Sequence, residues 1–217
     1  MKTFKFYLCI AILIVPMALS AITNTDSTYL KVMEKTVLKL DSAKSVNDLQ
    51  TIRNQFERIS LKYDKEWLPL YYVAYTGIQM AYYNPKAENN EAILETVKAS
   101  LDKLNSFTDA DKSEVSTLYG YYYNGLSMTN PAVNGQKYFN DVISNYEKAI
   151  KLNPENPRPI FLLAFYESFL PDFIRSKRDF CEEISKAKLL YQKEQKTIGQ
   201  PHWGEAFMIQ ISAKCNK

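Results

Sequence analysis

The chain has 217 residues and a formal net charge of +3; 46% of its residues are hydrophobic, 16 are tyrosines and only six are glycines. A chain of this length and composition can bury one substantial core, which excludes an intrinsically disordered protein. The charge is near neutral, and no long run of lysine or arginine occurs. Composition therefore gives no indication of nucleic acid or of an anionic membrane surface as a partner.

Residues 1–20 have the features of a cleaved signal peptide. Lys2 and Lys5 form a positive start, residues 6–19 are apolar, and Ala18-Leu19-Ser20 fits a small-x-small cleavage pattern. The alternative is an uncleaved membrane anchor. An apolar run of about 14 residues is shorter than the roughly 20 that a spanning helix needs, so cleavage is favoured.

Cleavage would leave residues 21–217 as a single domain with a formal charge of +1, because the removed segment holds two lysines and no acids. The sequence therefore predicts a periplasmic protein, with the extracellular space as an alternative, and no stable membrane insertion once the signal is removed.

Apolar residues recur at helical spacing through the rest of the chain, and no segment shows the alternation of a strand with turn residues beside it. Prolines and N-cap residues mark the ends of the segments; for example, Asn153-Pro154 ends the sixth helix and Asp179 precedes the eighth. The sequence thus predicts an all-α fold of about nine helices. The predicted helices lie at 26–43, 45–63, 66–83, 90–104, 111–128, two within 140–170, 180–191 and 203–214.

Several positions in this pattern match the tetratricopeptide (TPR) repeat. Tyr146, Ala149 and Pro154 stand at the spacing of its second helix, and Leu163-Ala164 suits the first helix of a following repeat. Helical hairpins of this kind stack, because one hairpin cannot bury its apolar face alone. We therefore expect a right-handed array of antiparallel hairpins.

Short segments spread over most of the chain carry a further resemblance: Asn54–Ile59, Glu66–Tyr72, Asn156–Arg158, Leu162-Leu163, Pro201–Glu205 and Cys215. In their order they resemble exported TPR-like proteins of Gram-negative bacteria, most of which have no assigned function. The resemblance implies a TPR-like helical array and export, and no activity. It departs at residues 172–177, where such proteins tend to carry a glycine-rich loop.

No pattern of catalytic, metal-binding or cofactor-binding residues is visible. His202 is the sole histidine, and no second ligand stands at the spacing of a zinc site, so we interpret it as a structural residue at a helix start. Neither a phosphate-binding glycine loop nor a nucleophile elbow occurs. The sequence predicts a protein that is not an enzyme and needs no cofactor or metal.

The aromatic residues are the candidates for binding. If the first helix of each hairpin faces the concave side of the array, its tyrosines and arginine can anchor a partner there. The leading hypothesis is a non-enzymatic module that holds a protein or peptide in a concave groove. The alternative is a small-ligand-binding component of an envelope uptake system, and the same side chains can also be packing residues. The candidate residues are Tyr71, Tyr119, Tyr122, Arg158, Phe161 and Phe165.

Cys181 and Cys215 remain after removal of the signal peptide, and an oxidising compartment favours a disulfide between them. They lie at similar distances from the turn at residues 199–201, so antiparallel arms would bring them together. Two free buried thiols are the alternative.

Overall fold

The structure is a computed structural model that describes residues 27–198 and 200–216; the signal peptide predicted at residues 1–20 lies outside them. Within these stretches the chain forms nine α-helices and a short 3-10 helix, without a strand, so the prediction of an all-α fold is confirmed. The helices are α1 (Ser27–Asp41), α2 (Val46–Lys62), α3 (Trp67–Tyr83), α4 (Asn90–Leu104), α5 (Lys112–Thr129), α6 (Pro131–Leu152), α7 (Pro157–Glu167), α8 (Phe180–Lys193), α9 (Glu205–Ser212) and the 3-10 helix Ala213–Asn216.

Side-chain caps fix where several helices begin. Asp111 accepts hydrogen bonds from the backbone N–H groups of Ser113 and Glu114, at 2.8 and 3.0 Å. Asp179 does the same at the start of α8, where both bonds are 2.9 Å long. Each cap pairs donors that the first turn of a helix leaves free.

Helix α6 begins at Pro131, before the segment 140–170 in which the sequence predicts it. Asn130-Pro131 and Asn134-Gly135 suggest a loop, but Pro131 is the first residue of α6 and the helix continues through Gly135. Proline is well suited to the first helical position, and Gly135 lies in open space, where its helix-weakening effect is tolerated.

Helices α3, α5 and α7 form the inner layer of the molecule. Each helix packs against the next along the chain, and α3 also contacts α5, which in turn contacts α7. Every residue from Trp67 to Ile78 in α3 is buried, whereas α2 and α4 bury only one stripe each. This order of neighbours is what stacked helical hairpins produce. The TPR-like character of the stack stays a prediction.

Gly77 permits the close contact between α3 and α4. A Cβ atom there would lie 2.5 Å from Cγ2 of Val97, closer than packed carbon atoms approach each other. None of the helices in the described part of the chain is long and apolar enough to cross a membrane.

Cys181 and Cys215 form a disulfide, with their Cα atoms 5.5 Å apart, so the predicted pairing is confirmed. The bond joins the start of α8 to the 3-10 helix that follows α9. A disulfide of this kind is compatible with an exported protein.

Removing the disulfide should destabilise the fold. In the chain-entropy model, a bond that closes a loop of 34 residues contributes roughly 3–4 kcal/mol. We expect Cys181→Ser with Cys215→Ser to lower the free energy of unfolding by about that amount in urea denaturation. Wild-type protein treated with a reductant should show the same loss, and an unchanged denaturation midpoint in both samples would refute the prediction.

Candidate functional site

The chain after α8 returns across the inner layer. We call residues 194–198 and 200–216 the C-terminal arm. Its Trp203 reaches α3, where the indole N–H donates to the hydroxyl of Tyr71 at 2.7 Å. Gly204 allows the turn into α9: its φ is +99°, a conformation that favours glycine, and a Cβ atom there would lie 2.5 Å from the hydroxyl of Tyr191.

A buried ion pair holds the start of the arm. The guanidinium of Arg158, on α7, lies 3.1 Å from a carboxylate oxygen of Glu114, on α5, and 2.7 Å from one of Glu194. It also donates to the carbonyl of Pro201 at 2.6 Å. Arg158 is only 2% exposed. One side chain thus ties two inner helices to the arm.

Glu114 is the centre of this polar network. One of its oxygens accepts from the hydroxyl of Tyr71 at 2.6 Å, and the other accepts from the side-chain amide of Asn156 at 2.8 Å. Burial raises the pKa of Glu114, and the charge of Arg158 opposes that rise. The network runs without interruption from Glu194 through Arg158, Glu114 and Tyr71 to Trp203.

A stack of aromatic rings lies beside this network. The ring of Trp203 stacks with the rings of Tyr75 and Tyr121, whose centroids are 4.5 and 5.7 Å away. Tyr121 also stacks with Tyr82, at 4.5 Å. Neighbouring rings lie within 29° of parallel, as in offset stacking.

The stack forms one wall of a cavity of about 680 Å³ between α1, α2, α3, α5 and the arm. Charged side chains also line it: Lys196 pairs with Glu205 at 2.6 Å, and His202 lies 3.6 Å from a carboxylate oxygen of Asp41. The cavity is lined by Leu40, Asp41, Ala43, Leu49, Tyr72, Tyr75, Gln79, Tyr82, Tyr83, Tyr121, Lys196, His202, Trp203, Gly204, Glu205, Ala206 and Phe207.

Tyr75, Tyr82 and Tyr121 are neutral phenols, because burial raises the pKa of each above the ordinary value. They therefore offer apolar rings and hydroxyl groups to a ligand, not negative charge. Among the described residues, no group of three or more His, Cys, Asp or Glu side chains is placed to hold a bare metal ion.

The predicted partner-binding residues lie in three places. Tyr71, Arg158 and Phe161 are on the inner layer as expected, but they are buried beneath the arm, and Phe161 packs on Phe207. Phe165 is half-buried and also packs on Phe207, at 5.1 Å. All four contact the chain's own arm, and their role toward an outside partner stays a prediction.

Tyr119 and Tyr122 face away from the cavity. The hydroxyl of Tyr119 donates to Asp102 of α4 at 2.7 Å, and Tyr122 packs on Tyr123. Tyr121 lies about 200° from Tyr119 around the helix and takes the inner position instead.

The cavity residues Tyr75, Tyr82, Tyr121 and Trp203 were not among the sequence candidates. A signal for some of them exists: Tyr72, Tyr75, Gln79 and Tyr82 follow one another at helical spacing and share one face of α3.

Fold and site together define an all-helical protein with an open, aromatic-walled cavity that its own C-terminal arm borders on one side. Comparison with protein families and with curated proteins finds no match. Among solved structures, the chain is similar to the HusA haemophore from Porphyromonas gingivalis, with a TM-score of 0.78 and 27% sequence identity. The similarity covers 88% of this chain and 94% of the haemophore.

Arg158 should be essential for stability. Arg158→Ala would leave the Glu114 carboxylate buried without its cation. We expect the free energy of unfolding to fall by roughly 3–5 kcal/mol, as it does when one partner of a buried ion pair is removed. Chemical denaturation measures the loss.

The control for this experiment is Arg175→Ala. Arg175 is partly exposed and pairs with exposed Asp172, so its loss should cost less than about 1 kcal/mol. Combining Glu114→Gln with Arg158→Met should cost less than Arg158→Ala, because the most deeply buried carboxylate is then neutral and only Glu194, which is partly exposed, keeps a charge without its cation. Full stability of Arg158→Ala would show that the pair does not anchor the arm.

Proposed function

We propose that this protein is an exported carrier that binds a flat, largely apolar ligand of the tetrapyrrole class, with haem as the leading candidate. The observation that carries the proposal is the cavity wall made by the stacked rings of Tyr75, Trp203, Tyr121 and Tyr82. The structural likeness to a haemophore supports it. Export through the signal peptide at residues 1–20, to the periplasm of a Gram-negative cell, is part of the proposal.

The size and lining of the cavity suit such a ligand. Small-molecule sites commonly enclose 300–1,000 Å³ and combine apolar walls with a few polar groups that orient the ligand. Here the volume is about 680 Å³, and a few polar side chains, among them Gln79, Lys196 and His202, interrupt a largely aromatic and apolar lining. A ligand with an aromatic body and charged edge groups would place its body on the ring stack and its edge near Lys196.

His202 is the residue that could hold an iron atom brought in by the ligand. Iron in haem needs only one or two protein ligands, and histidine, tyrosine, cysteine and methionine are the usual ones. Tyr75, Tyr82 and Tyr121 hold their protons because burial raises the pKa of each. His202 lines the cavity with a side chain that is 24% exposed, and its contact with Asp41 is longer than a hydrogen bond.

A groove for a protein or peptide partner is less well supported. The inner layer that such a partner would use is covered by the C-terminal arm, which is anchored by Arg158 at one end and by the Cys181–Cys215 bond at the other. The carrier function uses the cavity that remains and needs no catalytic residue.

Ligand binding should depend on the ring stack. In titrations followed by absorbance and by tryptophan fluorescence, the wild-type protein should bind both haem and metal-free protoporphyrin saturably. Tyr82→Ala should weaken both by about fivefold, because a stacking contact contributes on the order of 1 kcal/mol.

Tyr138→Ala is the matched control. Tyr138 is a half-buried tyrosine on α6 that packs on Tyr123 and does not line the cavity. Its variant should bind like the wild type. Absence of saturable binding of either porphyrin to the wild type would refute the proposed function, and equal losses in the two variants would refute the assignment of the cavity.

Comparing the two porphyrins tests His202 separately. His202→Ala should weaken the binding of haem and change its absorption spectrum while leaving the affinity for metal-free protoporphyrin unchanged, because only haem offers an iron to the imidazole. Equal effects on both ligands would show that His202 does not bind iron.

A further inference from the structure

The loop between α7 and α8 exposes a group of apolar side chains. Phe173 is 86% exposed, Phe169 66% and Ile174 41%. We call these three residues the α7–α8 tip. Large apolar side chains that are this exposed and close together in the chain are costly in water, and they favour a surface that contacts something else. We propose that the tip docks the protein peripherally onto an anionic lipid surface.

The loop that carries the tip is held in place. The backbone N–H groups of Ile174 and Arg175 donate to the carbonyl of Pro171, at 3.0 and 3.2 Å, which forms a tight turn around Phe173. The hydroxyl of Ser176 donates to Glu167 on α7 at 2.7 Å. These contacts fix the loop on the side of α7.

A second attachment lies on the other side of the loop. Arg178 donates to Glu147 of α6 at 2.6 Å, and its guanidinium also lies 3.7 Å from Glu167. Phe173 is therefore exposed on a loop that is attached to two helices, α6 and α7.

Charged side chains of both signs lie in the loop that carries the tip. Arg175 pairs with Asp172, and Arg178 is shared between Glu147 and Glu167, so both arginines are neutralised within the protein. Lys177 and Lys214 have no ion pair within the described residues, and the ammonium of Lys214 lies 4.9 Å from the ring centre of Phe169. Their charges are available for lipid phosphates.

This chemistry favours a lipid surface over a protein. Aromatic and aliphatic side chains beside lysine are typical of segments that enter the interfacial region of an anionic membrane, where each nearby cation adds to binding. A stable protein interface buries about 800 Å² on each partner. Three side chains on a narrow turn supply less than that, whereas they are sufficient for shallow insertion between head groups.

The tip is also connected to the cavity. Phe207 lines the cavity and packs edge-on against Phe165 at 5.1 Å, and Phe165 packs in the same way against Phe169 at 5.0 Å. Docking through the tip would hold the cavity close to the lipid surface. The inference does not depend on which ligand the cavity takes.

Vesicle binding tests the proposal. The purified protein, with its N-terminus established by mass measurement, is sedimented with phosphatidylcholine vesicles that contain or lack phosphatidylglycerol. We expect binding to the anionic vesicles, weaker binding to the zwitterionic ones, and loss of binding at high salt. Phe173→Ser should lower the partition coefficient by roughly tenfold or more, as expected for the loss of one inserted aromatic side chain.

Two further variants make the result specific. Leu61→Ser is the matched control, because Leu61 is 77% exposed on α2 and should not contribute. Phe173→Trp should show emission at shorter wavelength with anionic vesicles, over the constant signal of the buried Trp67 and Trp203.

Three results would overturn the proposal. The first is that the protein does not sediment with anionic vesicles, which would indicate that the tip contacts a protein partner instead. The second is equal binding of the Phe173→Ser and Leu61→Ser variants. The third is binding that does not depend on lipid charge.

Discussion

Arg158 and Glu114 meet in the interior of the molecule, and the position of the C-terminal arm depends on that contact. Both side chains are almost fully buried, so each needs the other to offset the loss of water around its charge. The guanidinium of Arg158 also donates hydrogen bonds to Glu194 and to the carbonyl of Pro201. The ion pair that joins α5 to α7 is therefore also the point from which the arm crosses the inner layer.

The cavity follows from where the arm lies. Trp203 stacks on Tyr75 and Tyr121 from a segment that is fixed before it by the hydrogen bond from Arg158 to Pro201 and after it by the turn at Gly204 into α9. The space left beside the Trp203 ring is the cavity. The aromatic wall thus combines residues of α3 and α5 with a residue more than eighty positions further along the chain. None of these segments could form the wall alone.

Part of this arrangement could be predicted from the sequence. The helices and several of their ends follow from local periodicity and from caps such as Asp111 and Asp179. The Cys181–Cys215 pairing follows from the oxidising compartment and from the similar distances of the two residues from one turn. The direction of each tyrosine on α5 could not be predicted, because tyrosines lie on several sides of that helix, most of its residues are buried, and no polar face sets its rotation. The sequence therefore predicts Tyr119 on the inner side, whereas the structure places Tyr121 there.

The return of the arm could not be predicted either, and it bears on which function the fold supports. The contact between Trp203 and Tyr71 joins residues 132 positions apart, and no local pattern specifies it. For a peptide to occupy the inner layer, the arm would have to leave, and its departure would separate Glu194 and Pro201 from Arg158. Leaving buried charges of this kind without their partners costs several kcal/mol. The Cys181–Cys215 disulfide would also keep the far end of the arm close to α8. A small ligand that enters the cavity faces neither cost, because the walls are already in place. Because the chain's own C-terminal arm covers the inner layer, the fold favours a carrier of a small flat ligand over a groove for a protein.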